Sequence, residues 1–433
     1  MLADDGLAPR RAALAILEQV RAGRPFDAAL EQSLRPLPDP DRRLAHELAA
    51  GVLRRRSGLD ARLEPLASRG WISVPPTLQN ILRLGAYQLT ALDRVPPHAA
   101  VSTSVALARE AGGARAGGFV NALLRRMTRE PARATKGRGV GPLDLAARYS
   151  HPEWLVRRWL ERFGAEETER LLQWNNSRPS LVIQPARASG DAILRRLAAG
   201  GVRAAPAPWG AGIAVSASRP DQLPGFADGD FVVQDPAQAL VTWFAGLPAG
   251  SSVYDACAAP GGKAIGIARM GVRVLAADLS RPRVARLRQN LRRAGGRVGV
   301  AVADARCPPV RSVDAVLLDA PCLGTGTFAR HPDARWRVTP DALAALVRGQ
   351  AELLASASTV VRPGGLLVYA TCSLEPEENE AQVEGFLETH ADFQREPPDD
   401  ALPTLLTQKG DLMTLPQRDR MDGAYAARLR RAA

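Results

Sequence analysis

From about residue 250 onward, short apolar runs ("SVYDA", "VRVLAAD", "RVGVAVAD", "VDAVLLDA", "GLLVYAT") alternate with helical stretches ("GGKAIGIARM", "RPRVARLRQNLRRAG", "PDALAALVRGQAELLASASTVV"). Apolar runs separated by amphipathic helices are what a parallel sheet covered on both faces needs, so the pattern predicts a doubly wound α/β domain. It also says where to look for chemistry, because open parallel sheets bind ligands outside the carboxyl ends of their strands.

The remainder of the 433 residues is organised differently, and the length alone favours two or three domains. Leu14, Leu17 and Val20 recur at helical spacing, as do Leu44, Leu48 and Val52, then Leu78, Ile81, Leu82, Gly85 and Leu89, then Phe119, Leu123 and Met127. Four or five amphipathic helices therefore predict an all-α bundle over 1–130. The stretch 131–142, within "REPARATKGRGVGP", has neither period nor apolar content and reads as a linker. "SHPEWLVRRWLERFG" opens with Ser150 and Glu153 at capping-box spacing and carries Leu155, Trp159 and Phe163 on one face. With the mixed segments up to "FVVQDPAQAL", it predicts a small helical and α+β module over 143–235, leaving 236–433 for the α/β domain.

Formal charge is +12, with a pI near 10.4, a balance that suits a polyanionic partner but that an arginine-rich genome would also produce. Arginines cluster in "VLRRR" and "NALLRRM", as phosphate contacts or as solvated helix faces. No apolar run approaches the roughly 18 to 20 residues of a membrane span, and the N-terminus lacks a leader pattern, so a cytoplasmic protein with no membrane partner is expected. Cysteines at 257, 307, 322 and 372 form no CxxC pair, and the five histidines show no ligand spacing, so neither a disulfide framework nor a metal site is expected. Oligomerisation leaves no mark in the sequence, and a monomer is the simplest expectation.

The strand ends carry the informative residues. The first strand runs into "DACAAPGGKA", where Gly261 and Gly262 allow a tight turn and close approach to a ligand. Pro260 breaks the dinucleotide fingerprint, and Lys263 lacks the frame of a phosphate-binding Walker loop, so a nucleoside without a long phosphate chain fits better. The second strand ends at Asp278, where a carboxylate can accept both ribose hydroxyls, and the third ends near Asp304, placed for an adenine amino group. Each acid alone could be a helix cap. Three consecutive strand ends of this kind point to S-adenosylmethionine. The fourth strand ends in "LLDAPCLGTG" and the sixth or so in "YATCS", each with a cysteine.

The motifs "DACAAPGGK", "LLDAPC", "RHPDARW" and "VYATCSLEPEENE" resemble the cytosine-5 RNA methyltransferases of the Sun/Nop2 (RsmB/NOP) family. The helical N-terminus resembles the NusB-like RNA-binding domain, "FVNALLRR" matching best. With "YSHPEWLVRRW" and "VVQDPAQ" between them, the layout is that of the bacterial Sun/Fmu (RsmB) branch, which acts on 16S ribosomal RNA. The resemblance implies a NusB-like bundle, a small α+β module and a Rossmann-like methyltransferase domain. Its implied substrate is a cytosine of 16S rRNA and its cofactor S-adenosylmethionine. The same chemistry on transfer RNA or another ribosomal site is the alternative. A non-catalytic RNA-binding or antitermination factor is a more distant one.

Carbon 5 of cytosine is too poor a nucleophile to take a methyl group unaided, but a thiolate adding at carbon 6 turns the ring into an enamine. Such a site needs a low-pKa cysteine, a group at the ring N3 edge and help for release. Spacing does not choose between Cys322 and Cys372; the resemblance assigns attack to Cys372 and release to Cys322, and places Asp319 at N3 and the amino group. The alternative for Asp319 is a strand-end cap. Lys263 either reaches the nucleotide or the Asp319 side, or is an exposed loop lysine. The expected cofactor set is Cys257, Ala258, Ala259, Pro260, Gly261, Gly262, Lys263, Asp278, Arg283, Asp304 and Asp319. Cys257 contributes through its backbone, and Cys307 is expected to be packed. "RHPDARWRV" interleaves Arg330, His331, Arg335 and Trp336, an arrangement suited to phosphates and a stacked base, or else a structural loop with Trp336 in the core. Arg125 is a further candidate RNA contact. The sequence departs from the family pattern at Leu323, Ala264, Ala424 and Tyr425, none of which removes a proposed catalytic group.

Overall fold

The computed structural model describes residues 6–129, 139, 141–216, 219–398 and 403–433. The chain divides into two compact units, Met1–Ser177 with Phe328–Arg337, and Arg178–Thr327 with Val338–Ala433. Most of the expected linker, 131–142, lies outside the described residues.

The first unit is helical: α1 (Leu7–Arg21), α2 (Phe26–Leu34), α3 (Asp39–Arg54), α4 (Arg56–Leu63), α5 (Pro76–Ala91), α6 (Pro97–Arg129), α7 (Pro142–Tyr149) and α8 (Glu153–Asn175). The apolar stripes read from the sequence meet here, with Leu17, Leu48, Val52, Ile81, Leu82, Leu123 and Met127 in one buried core. Two short helices escape the periodicity argument: α2, after Pro25, and α4, after Arg55 leaves helical geometry. The capping box expected at Ser150 does not form. Ser150 ends α7 in a left-handed conformation, its Oγ accepts from Gly58 N at 3.2 Å, and α8 begins after Pro152. Leu155 and Trp159 are buried as their spacing implied.

The second unit holds two sheets. The smaller contains β1 (Leu181–Pro185), β2 (Ala204–Pro206), β3 (Ile213–Val215) and β4 (Phe231–Val233) in the antiparallel order β2-β3-β1-β4, with α9 (Gly190–Ala199) against it. The expected module 143–235 is thus divided at Ser177, its helical part grouping with the first unit.

The larger sheet begins after α10 (Pro236–Ala245). It comprises β5 (Ser252–Asp255), β6 (Arg273–Asp278), β7 (Val298–Val302), β8 (Val313–Asp319) and β9 (Val361–Thr371), all five parallel as the alternation predicted. Helices α11 (Gly262–Ala268), α12 (Arg281–Ala294) and α13 (Pro340–Thr359) intervene. After α14 (Glu380–Thr389) come β10 (Phe393–Arg395), β11 (Leu412–Thr414) and β12 (Ala424–Arg431), which extend the sheet antiparallel beyond β9. The order is β10-β12-β9-β8-β5-β6-β7. The chain winds outward from β5 to β7 and then returns to place β8 on the other side of β5, so the switch point lies between β5 and β8.

Side chains alternate between two buried faces along each strand. Val253, Val274, Ala276, Ala315, Leu317, Leu366 and Val368 enter one core, with Ala264, Ile265 and Ile267 of α11. Tyr254, Val316, Leu318, Leu367 and Tyr369 enter the other. Continued to the strand ends, this alternation puts Asp255, Asp278 and Asp319 on the α11 face of neighbouring strands.

Candidate active site

Beyond β5, residues Ala256 to Gly262 form a loop that stays close to the sheet, with Ala256 N donating to Leu317 O and Ala258 N to Ala277 O. Gly261 has φ 108°, and a Cβ there would lie 2.7 Å from Leu287 Cδ1, so only glycine keeps the turn this tight. Arg283 ties the loop to the next strand end, donating to Ala259 O at 2.7 Å and lying 3.2 Å from Asp278 Oδ2. Asp278 is buried, and one of its oxygens accepts from Ser280 N at 3.0 Å. Leu279 beside it is 65% exposed and Val302, at the end of β7, 45% exposed. Exposed apolar side chains beside a carboxylate and a bare backbone turn form a cradle that fits a nucleoside. Asp304 lies just past β7, where Arg306 donates to both of its oxygens and holds its carboxyl below the usual range. An adenine amino group at Asp304 would share it with Arg306.

Lys263, on α11, is a buried residue and not the exposed loop lysine that was the alternative. Its Nζ donates to Asp319 Oδ2 at 2.8 Å and to Gln238 Oε1 on α10. Nearby Asp255 is completely buried, and neither of its carboxyl oxygens has a hydrogen-bond partner. Burial, reinforced by the Asp319 charge against the pull of Lys263, pushes its carboxyl up to about 8. Cys257 is mostly buried, and the same desolvation with the Asp319 charge pushes its thiol up to about 12. Cys307 is exposed, contrary to the expectation that it is packed, because the turn after Asp304 lies outside the sheet.

The loops after β8 and β9 bring the two remaining cysteines together. Cys322 Sγ and Cys372 Sγ are 3.4 Å apart, and Cys372 N also donates to Cys322 Sγ at 3.4 Å. Neighbouring bonds lock the loops: Gly326 N donates to Cys372 O at 3.0 Å, Leu374 N to Thr325 Oγ1 at 2.8 Å and Gly423 N to Gly326 O at 2.9 Å. Hydrogen bonding to Cys372, followed by burial, pushes the Cys322 thiol well above its ordinary value. Cys322 is therefore driven toward the protonated form.

The candidate RNA-binding residues separate. Arg125 is exposed near the end of α6, its Nε donating to Asn121 Oδ1 at 2.9 Å. Arg330 and His331 are half-buried, and His331 lies 3.3 Å from Asp27. Arg335 differs from its expected role. It is 0% exposed, and its guanidinium donates to Asn176 Oδ1 and Asn175 O at 2.7 Å, to Phe328 O at 3.2 Å and to Ser150 O at 3.4 Å. With both terminal nitrogens bonded internally and no surface, it has nothing to offer a phosphate. Trp336 is half-buried against the helical core, its Nε1 donating to Leu53 O at 2.9 Å. Asp333, also buried, accepts from Phe26 N at 3.1 Å.

Sequence reasoning missed Gln238, Gln350 and Glu378. Gln238 sits in "VVQDPAQ" and Glu378 in "VYATCSLEPEENE", both quoted as motifs, whereas Gln350 means something only once the strands are paired. Among the described residues no group of three or more histidine, cysteine or acidic side chains could hold a metal ion.

A doubly wound sheet with a glycine turn at its switch point, acids at the neighbouring strand ends and two apposed thiols after β8 and β9 has the architecture of an S-adenosylmethionine-dependent methyltransferase. Comparison with known proteins makes this specific. The family described as 16S rRNA methyltransferase RsmB/F matches residues 246–430, the NusB family 7–129, and the ferredoxin-like domain of RsmF/B-like methyltransferases 151–220. The chain is 37% identical to the probable ribosomal RNA small subunit methyltransferase B of Synechocystis sp., over 98% of this chain and 100% of that protein. It is 33% identical to ribosomal RNA small subunit methyltransferase B of Escherichia coli O1:K1, over 96% and 97% of the two chains. Among solved structures, PH0851 superposes with a TM-score of 0.83 at 25% identity, covering 97% of this chain and 98% of that one. NSun6 from Pyrococcus horikoshii shares the fold over 65% of this chain, with a TM-score of 0.59 at 19% identity. The chain belongs to the RsmB/F family of ribosomal RNA methyltransferases, which draw their methyl group from S-adenosylmethionine.

Proposed function

We propose that the protein methylates carbon 5 of a cytosine in 16S ribosomal RNA through a transient bond between Cys372 Sγ and carbon 6. The observation that carries this reading is the 3.4 Å separation of Cys372 and Cys322 Sγ at the ends of adjacent strands, beside the Lys263–Asp319 pair. Loop 257–263, Asp278, Arg283 and Asp304 hold the cofactor, which supplies an electrophilic methyl group. Cys372 Sγ attacks carbon 6, making carbon 5 nucleophilic. Asp319, oriented by Lys263, which Gln238 holds in turn, binds the N3 and amino edge and fixes the ring against the attacking sulfur. After methylation the carbon 5 proton leaves and the C6–S bond breaks. The carbon 5 proton passes to solvent water as the C5–C6 double bond re-forms, and the Cys322 thiol, apposed to Cys372, donates its proton to the departing thiolate and is reprotonated from solvent. Approach to carbon 6 is perpendicular to the ring, so the target base is unstacked or single-stranded. Exposed arginines of the helical unit, Arg125 among them, supply phosphate contacts.

Purified protein, labelled S-adenosylmethionine and deproteinised 16S rRNA test the reading. Label confined to 5-methylcytosine at a discrete position is expected. Label on a ribose, on another base or on a ring nitrogen would overturn it, and label in transfer RNA alone would reassign the substrate.

A further inference from the structure

Glu378 is 0% exposed, on the 3₁₀ turn Pro376–Glu378 that follows the Cys372 loop, and it pairs with no lysine or arginine among the described residues. A buried carboxylate without a cation persists only where hydrogen bonds compensate it. The Ser373 hydroxyl, next to Cys372, supplies one such bond, and the others come from around Cys322. Leu323 N donates to both Glu378 oxygens, at 3.0 and 3.3 Å, and Gln350 Nε2 donates to Oε1 at 3.0 Å. The same Gln350 nitrogen donates to Pro321 O at 2.8 Å. Pro321 and Leu323 are the two neighbours of Cys322. The carboxylate and the amide, bonded to each other, therefore grip the backbone on both sides of that cysteine and touch neither sulfur in doing so. Tyr369, on β9, fixes the grip from behind, its hydroxyl donating to Glu378 O at 2.7 Å. An apolar pair would fill the same space but could not orient the peptide.

We propose that Gln350 and Glu378 are positioning residues for product release, a clamp that sets the peptide of Cys322 so that its sulfur stays against Cys372. The inference rests on the reading of Cys322 as the release residue. The clamp predicts an uncoupling that simple loss of packing would not produce. Attack by Cys372 continues while elimination stalls.

Single-turnover assays with the full chain, S-adenosylmethionine and deproteinised 16S rRNA test this in Gln350→Ala and Glu378→Gln, with Cys322→Ala as reference. Methyl transfer in the first turnover should stay within about 3-fold of wild type with the RNA KM unchanged. Release of RNA should slow by roughly 10- to 100-fold, the scale of a misplaced catalytic group, and a denaturant-resistant protein–RNA adduct should accumulate as in Cys322→Ala. Transfer and release falling together, or neither changing in folded Gln350→Ala protein, would overturn the clamp. Gln350→Ala leaves the Glu378–Leu323 bonds in place and answers the question even where Glu378→Gln does not fold. If Cys322→Ala traps an adduct and Gln350→Ala does not, the clamp alone fails. If Cys322→Ala itself releases RNA at the wild-type rate, the release reading fails and the clamp falls with it.

Discussion

Residues 319–327 and 328–337 are contiguous in the chain, and both carry the residue types of an RNA-modifying site, yet they do opposite things. The first run keeps Asp319 partly exposed and Cys322 apposed to a second thiol. The second belongs to the helical unit and leaves Arg330 and His331 half-buried, but it encloses Arg335 fully among four acceptors and bonds Trp336 to Leu53 O. Residue type names the chemistry a side chain is capable of. Pairing and exposure decide whether it is performed on a ligand or spent on the fold.

Substitutions should separate the two runs sharply. If Cys372 is the attacking thiol, Cys372→Ala, across from the first run, should reduce methyl incorporation by more than about 1,000-fold while leaving the unfolding midpoint unaltered. Lys263→Met, which leaves Asp319 unheld, should reduce kcat/KM by roughly 100-fold, and Lys263→Arg should not restore it, because the site holds a point charge between Asp319 and Gln238.

In the second run the effect should move from activity to stability. Arg335→Ala strands buried acceptors and should cost about 3 kcal/mol in urea unfolding, while the salt dependence of RNA binding by the folded protein stays as it was. A salt slope lower by about 1 would return Arg335 to the phosphate contacts.

Asp255 tests the sheet face that joins cofactor loop and active site. Its carboxyl, raised from 3.8 to about 8 by burial, gives the folded protein a proton the unfolded chain releases earlier. The stability this supplies is complete below pH 3.8 and is lost as pH rises through about 8. Asp255→Asn should flatten that decline, so that the variant gains on wild type between mildly acidic and mildly alkaline buffer; parallel curves would contradict it. The smallest effect is expected at Cys307, exposed and outside both runs: Cys307→Ser should change stability by less than about 0.5 kcal/mol, and a thiol reagent should reach Cys307 before the other cysteines.

The parallel sheet and its strand ends were legible because each strand announces itself as an apolar run between helices, and because glycines and acids cluster where those runs stop. The antiparallel extension was not. β12, "AYAARLRR", places Ala424 and Ala426 in one core and Tyr425, Ala427 and Leu429 in the other, so buried positions on both faces erase the period-two contrast that marks a strand. Its Arg428, nearly buried, donates to Ala245 O and Glu396 O, a destination no local pattern foretells. The motif "RHPDARW" was visible for the same reason that its role was not: its composition suits both phosphate contact and an internal hydrogen-bond network. Ser150 misled similarly, having the capping-box spacing to Glu153 but lying in a left-handed turn with Pro152 between them. Gln350 and Glu378, 28 positions apart, meet only because α13 and the turn after β9 converge on the Cys322 loop.

The central claim is that Cys372, not Cys322, bonds to the base. Digestion and mass spectrometry of the protein–RNA adduct trapped by Cys322→Ala test it directly. The account predicts a nucleotide attached to the peptide containing Cys372 and no adduct from Cys372→Ala protein. A nucleotide attached through Cys322 in Cys372→Ala protein would contradict it.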